Sequence, residues 1–195
     1  MQYMANHIRW AQFAATDAEV SGSLPKYGGT PVDIGALVKI NESLNFIEAS
    51  GYGDNARKNY IREFRDGTAA VETVYISREA ASKVTGATLG SDDDADLKFG
   101  ANDQAPYGGL ALVTGNRRND DSIYFQGVAY PKVKASMEGE SYQTKGDAIQ
   151  LTNPKLSFAV SACNDAKKSY KIKSKEFDAE SDAIAWVDNF LKAAT

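Results

Sequence analysis

The chain offers few of the side chains that enzymes use for acid–base or nucleophilic chemistry. His7 is the only histidine and Cys163 the only cysteine. A serine or cysteine nucleophile would depend on His7 as its base, and His7 lies in an N-terminal stretch with the pattern of a short strand or extended arm. Cys163 has no second cysteine or histidine at zinc-site spacing. We expect a surface histidine, a half-buried thiol, and neither catalysis nor a cofactor.

Acidic residues give two further candidates for chemistry. Asp92, Asp94 and Asp96 have the spacing of the first three ligands of an EF-hand loop, and Asp103 falls where its terminal acid belongs. The sixth position requires glycine for its sharp turn, but Leu97 stands there, so we expect a solvated acidic loop without a metal. Asp and Glu are plentiful, yet nothing in their spacing selects a pair for glycoside hydrolysis.

The composition narrows the class of protein. With 195 residues and 43% hydrophobic content, the chain is long enough to bury a core and is expected to form one domain, residues 1–195. Its net charge of −4 disfavours specific binding of DNA. No stretch approaches the roughly 20 apolar residues that span a bilayer. A membrane role is therefore not expected, and the lone cysteine favours synthesis in a reducing cytoplasm.

A cluster of lysines lies near the C-terminus. It comprises Lys167, Lys168, Lys171, Lys173 and Lys175. An isolated basic run is a weak nucleic-acid motif. We interpret it as the solvated face of an edge strand that lysines protect from stray pairing.

The sequence pattern predicts that most of the elements carrying these side chains are β-strands. Residues 108–158 contain runs rich in Val, Ile and aromatics between Gly, Asn, Asp and Pro turns, which predicts an antiparallel hairpin array. Tyr124, Phe125 and Tyr130 are expected to serve as core and interface residues. Residues 32–48 predict a strand pair or one bent strand, because Val38 and Ile40 alternate with polar residues. Residues 69–76 predict a further strand.

Residues 49–65 interrupt the strand pattern. Gly51, Gly53, Asp54 and Asn55 are typical of turns, yet apolar side chains occur among them. Long loops in compact domains are usually functional, and apolar residues within one indicate that it docks on something. We predict a loop that contacts another subunit.

Two helices are expected. Ser77 is a candidate N-cap with Glu79 in the first turn, and Gly86 supplies a left-handed stop. Residues 178–194 repeat Ile184, Val187 and other apolar residues at helical spacing, which predicts a terminal amphipathic helix. The fold class is therefore mainly β (α+β): a β-sandwich or partly rolled barrel of antiparallel strands flanked by a short helix, with an N-terminal arm over about residues 1–30.

Several short segments occur in an order known from one family. They are residues 31–36 (Pro-Val-Asp-Ile-Gly-Ala), 52–55 (Tyr-Gly-Asp-Asn), 67–76 with the helix ending at Gly86, 111–113 (Ala-Leu-Val), 123–125 (Ile-Tyr-Phe), 130–131 (Tyr-Pro) and 144–154. In this order they resemble the major tail proteins of long-tailed phages, the phi13 family, over about residues 5–160. Gly53 replaces an alanine of that pattern, and the terminal helix has no counterpart in it.

The resemblance implies a structural virion protein and no enzyme. Copies would form hexameric rings that stack into a hollow tail tube, through which double-stranded DNA passes into the host without specific binding. Tape measure protein and tail terminator or distal tail proteins would be its other partners.

Within this reading, residues 49–65 are the loop that joins stacked rings. Its expected contact residues are Tyr52, Asp54, Asn55, Arg57, Tyr60, Arg62 and Phe64. The lumen wall should be neutral to acidic, because each lysine held by a phosphate would slow the DNA. Its candidates are Asn41, Ser43, Asn45 and Glu72.

Other classes of protein remain open on the sequence alone. A carbohydrate-binding or carbohydrate-active β-sandwich would use the same fold class, as would a secreted adhesion or delivery module. The inner tube of a contractile injection system is the nearest relative of the tail-tube reading.

Overall fold

The fold is an eight-stranded antiparallel sheet with a separate two-stranded sheet and two helices, in a computed structural model that describes residues 2–16, 18–53, 56–91, 96–139 and 152–192. It confirms the predicted mainly β class with flanking helices. The described strands are β1 (Gln2–Gln12), β2 (Val32–Asp33), β3 (Leu37–Gly53), β4 (Ala56–Thr73), β5 (Thr88–Leu89), β6 (Leu97–Lys98), β7 (Tyr107–Arg117), β8 (Ile123–Met137), β9 (Lys155–Val160) and β10 (Ile172–Lys173). The helices are α1 (Arg78–Thr85) and α2 (Glu180–Phe190).

The main sheet is rolled. Its strand order is β2-β1-β7-β8-β9-β4-β3, and β10 pairs with β8 beside this path. β1 and β3 nevertheless contact each other although they lie near opposite ends of this order. The N-terminal residues thus form a strand within the sheet, which is the strand alternative of the sequence prediction and excludes a free arm at residues 2–12.

β7 explains why the sheet has a core on both faces. Its residues are buried without interruption from Gly108 to Gly115, a pattern typical of a strand covered on both sides. Leu110 and Leu112 belong to the core inside the roll, whereas Ala111 and Val113 belong to a second core on the outside. The alternation follows from the two-residue period of a strand.

α2 covers the outer core. Ala183, Val187 and Leu191 are fully buried there, which confirms the predicted apolar stripe of the terminal helix. The helix lies so close to β8 that a Cβ on Gly127 would stand 2.1 Å from Cε3 of Trp186. Only glycine permits that approach.

α1 confirms the predicted short helix. The Ser77 hydroxyl accepts a hydrogen bond from the Ala80 N–H, and Gly86 ends the helix with φ 80°. Its residue Val84 is buried in the inner core. Local chemistry alone specified both ends of this helix.

The predicted loop at residues 49–65 is wrong. Residues 49–53 and 56–65 belong to β3 and β4, which pair from Leu37↔Thr73 to Gly53↔Ala56 as one hairpin, and residues 54 and 55 lie outside the described residues. The glycines and charged residues that indicated a loop lie in a two-stranded ribbon whose faces are largely exposed, and such a ribbon lacks the apolar alternation of a half-buried strand.

Candidate interaction surface on the long hairpin

The β3–β4 hairpin extends far beyond the rest of its sheet. β9 pairs with β4 only between Glu72 and Gly67. Residues 56–66 of β4, with 45–53 of β3, continue past this point for about 35 Å at ordinary strand spacing. We call these residues the distal hairpin.

A β-bulge marks where the distal hairpin begins. Asn45 pairs with Asp66 and Phe46 with Phe64, so Arg65 is the extra residue. The Asn45 side-chain amide and the Arg65 guanidinium both donate hydrogen bonds to the Asp66 carboxylate. These two bonds hold the pKa of Asp66 below its ordinary value. The bulge thus carries an ionised carboxylate at neutral pH.

One face of the distal hairpin exposes apolar side chains next to Glu63, which pairs with Ile47. Ile61 pairs with Ala49, and Ile47 lies two residues before Ala49, so the three side chains share a face. Ile47 and Ile61 are 55% and 57% exposed. We call these three residues the apolar patch.

The opposite face of the distal hairpin packs on the body of the protein. Tyr170 stacks on Phe64 with ring centroids 4.0 Å apart, and Phe46 meets both rings edge-on. The Arg62 guanidinium lies 4.0 Å from the centre of the Phe46 ring and 3.3 Å from a Glu48 carboxylate oxygen.

A cluster of polar side chains contacts β3 just before the distal hairpin begins. The Tyr130 hydroxyl donates to Glu42 Oε2 over 2.7 Å, and the Lys171 ammonium pairs with the same oxygen. Burial, and then the bond to Glu42, raises the pKa of Tyr130 above its ordinary value. The phenol therefore remains a donor throughout the neutral range. A cavity of about 170 Å³ lies beside these groups.

The structure describes part of the predicted contact set. Tyr60 is exposed, Phe64 packs on Tyr170 of the body, and Arg62 is half-exposed with its contacts to Phe46 and Glu48 inside the hairpin. Tyr52 and Arg57 pair across the hairpin, but their side chains, and all of Asp54 and Asn55, lie outside the described residues. Sequence reasoning missed Ile47 and Ile61; their strand spacing was the available signal.

The predicted lumen residues share one face of the hairpin. Asn41, Ser43 and Asn45 alternate along β3, and Glu72 pairs with Lys39 on the same face. This face is opposite the inner core and bears mixed charge, because Lys39 and Lys155 line a cavity of about 270 Å³ together with Glu72 and Glu138. The two lysines and two glutamates balance, so whether this face lines a lumen stays a prediction.

Other candidates from the sequence behave as structural groups. The predicted surface histidine is wrong: the His7 side chain is 15% exposed and its Nε2 lies 2.9 Å from Asp188 Oδ1. Cys163 is fully buried, where half-burial was expected.

The acidic loop falls partly outside the described residues, since Asp92 and Asp94 are not among them. Asp103 accepts a hydrogen bond from the Gly100 N–H over 2.7 Å. In the described part of the chain, His, Cys, Asp and Glu side chains form no group of three suited to a metal ion.

The lysine cluster is only partly a solvated strand face. Lys167, Lys168, Lys173 and Lys175 are exposed, whereas Lys171 pairs with Glu42 and its side chain is 25% exposed. The expectation is therefore wrong for Lys171.

Comparisons with other proteins add no family assignment. Neither the scan against protein-family models nor the search of curated proteins gives a match. Of the helices in the described ranges, none has the length and hydropathy to span a membrane.

Proposed function

We propose that this protein is the tube-forming subunit of a phage tail. In this proposal, copies associate into hexameric rings, and the rings stack into a hollow conduit for DNA delivery. The observation that supports it best is the distal hairpin, which overhangs its sheet and exposes the apolar patch. The protein's role is structural, without a catalytic step or cofactor.

The free edge of the sheet supports lateral association. β3 is the last strand in the order, and among the described strands it is hydrogen-bonded to β4 alone. Its other edge therefore offers backbone donors and acceptors over much of its 17 residues. A long edge strand of this kind is an aggregation hazard in a monomer. In a closed ring, pairing with a neighbour would satisfy it.

The division of one hairpin face supports stacking. Along β3, the polar residues Asn41, Ser43 and Asn45 give way on the same face to Ile47 and Ala49. In the proposed tube, the polar half of this hairpin face would line the bore, and the apolar half would contact the next ring. Head-to-tail contacts along the axis leave an open end for each new ring.

Electron microscopy of the concentrated purified protein tests the proposal. We expect hollow tubes, with rings as the smaller species. Tape measure, terminator and distal tail proteins would then bind the tube interior or its ends in the virion. A protein that stays monomeric at every concentration, or that binds glycans as a monomer, would contradict the proposal.

The apolar patch provides a sharper test. Ile61→Ser and Ile47→Ser should raise the protein concentration needed for tubes about tenfold, because each change removes about 1.5 kcal/mol or more of apolar burial. Light scattering against concentration measures this. Ile123→Ser is the matched control, since Ile123 is 42% exposed and lies outside the patch. Normal assembly of both hairpin variants would show that the patch is not the stacking surface.

A further inference from the structure

The distal hairpin needs a device that sets its direction. Beyond Gly67 it has no hydrogen-bonded neighbour in β9, and a two-stranded ribbon in water is marginally stable and strongly twisted. An arm about 35 Å long that pivots at its base would spread its far end over many positions. Rings stack in register only if that spread is small.

Residues 161–173, which follow β9, can fix the direction of the distal hairpin. The Asp165 carboxylate accepts hydrogen bonds from the N–H and hydroxyl of Ser169, and the Cys163 N–H donates to the Ser169 carbonyl. Ile172 and Lys173 then pair with β8. The segment is therefore tied to the centre of the sheet independently of the hairpin.

Two consecutive residues of this segment contact the hairpin at separate levels. Tyr170 packs on Phe64 in β4 with the ring planes 9° apart. Lys171 pairs with Glu42 in β3, which lies four residues from Phe46. Two attachment points about 13 Å apart along a strand fix its angle, whereas one would leave a pivot.

The second attachment point is partly shielded from water. The side chains of Lys171 and Glu42 are 25% and 22% exposed, and the buried Tyr130 donates to the same carboxylate oxygen. A partly buried, hydrogen-bonded ion pair holds its geometry better than two freely solvated side chains.

We infer that Tyr170 and Lys171 are positioning residues that aim the distal hairpin at the neighbouring subunit. With Glu42, Phe46, Phe64 and Tyr130 they form a clasp between the hairpin and the body of the protein. The aiming of the hairpin is a property of the single subunit. Its consequence for assembly rests on the proposed tube function.

The direct test measures the spread of hairpin positions in the isolated subunit. Spin labels are attached at Ile61→Cys on the hairpin and Ile123→Cys on β8, both exposed positions, and their distance distribution is recorded. The native thiol of Cys163 is buried. We expect a narrow distribution in the parent, and one at least about twice as wide in Tyr170→Ala.

Matched variants separate aiming from general stability. Tyr170→Phe keeps the ring stack and should keep the narrow distribution. Lys171→Met should broaden it, whereas Lys167→Met, at an exposed lysine of the same segment, should not. Glu42→Gln removes the charge but keeps an acceptor for Tyr130, and serves if Tyr170→Ala does not fold. A distribution as narrow as the parent's in the folded clasp variants would overturn the inference.

Assembly then distinguishes the two proposals. If the parent forms tubes, Tyr170→Ala should need at least about tenfold more protein to do so, and Tyr170→Phe about the parental amount. If the parent never assembles but the clasp variants broaden the distribution, the clasp stands and the tube function fails. If the parent assembles and the variants neither broaden the distribution nor impair assembly, the clasp fails.

Discussion

Glu42 joins three parts of the molecule through one carboxylate. It lies on β3, accepts a hydrogen bond from Tyr130 on β8, and pairs with Lys171 just before β10. Removing the Glu42 carboxylate leaves both Tyr130 and Lys171 without this bond, which is why a substitution of Glu42 should cost more than the loss of an exposed ion pair. Nothing in the sequence distinguishes Glu42 from the other acidic residues, because its partners lie 88 and 129 positions away.

Cys163 gives a prediction at the same scale. Burial raises the pKa of its thiol to about 12, and the carboxylates of Asp165 and Glu19 add to the rise. Because the thiolate is the reactive form, the native protein should react with a disulfide reagent at about pH 8 at least about 100-fold more slowly than the unfolded chain. A colorimetric thiol assay with and without denaturant measures this. Equal rates would mean that the thiol is accessible in the native fold.

Residues whose roles are local were predictable, and those whose roles depend on distant partners were not. Ser77 and Gly86 predicted the two ends of α1, because a helix cap and a left-handed stop act within a few residues. From the sequence, Tyr170 could be interpreted only as one residue of the lysine-rich edge strand. Its stack on Phe64 depends on how the sheet rolls.

At the scale of elements, the hairpin shows where pattern reasoning fails. Residues 37–48 alternate because one face covers the core, and their strand was predicted. Residues 49–53 and 56–65 continue the same strands into solvent, so their sequence carries glycines and charges that a buried strand would not tolerate. Exposure, rather than a change of backbone conformation, removed the strand signal.

The contact between α2 and β8 gives a prediction at this scale. Gly127→Ala places a methyl group within 2.1 Å of the Trp186 ring, so the helix must shift away from the sheet. We expect a loss of about 1–3 kcal/mol in the free energy of unfolding, as in other overpacked cores.

Urea denaturation followed by tryptophan fluorescence measures that loss. Gly139→Ala is the control, since a Cβ there meets no atom within 4 Å. A Gly127 variant as stable as the control would show that the helix accommodates the methyl group without moving.

At the scale of the whole molecule, the rolled sheet forms a buried body from which the distal hairpin extends into solvent. β7 is covered on both faces, whereas residues 59–63 of β4 are all exposed. The two regions should therefore differ in local stability within one subunit. Under the proposed function, assembly would raise the local stability of the distal hairpin and change that of β7 little.

Hydrogen exchange measured by mass spectrometry tests this contrast. In the isolated subunit, amides of residues 59–63 should exchange at least about 100-fold faster than those of residues 110–113. In assembled tubes the hairpin amides should become protected, while those of β7 change little. Hairpin amides that stay fast in tubes would exclude the hairpin from the interface.

The meeting of the first and last described elements constrains how the chain matures. The Asn6 amide donates to Glu180 over 2.5 Å, across a separation of 174 residues. β1 therefore lacks this outer contact until α2 has been synthesised. A nascent polypeptide that still lacks α2 leaves Ala111 and Val113 of the outer core without their helical cover.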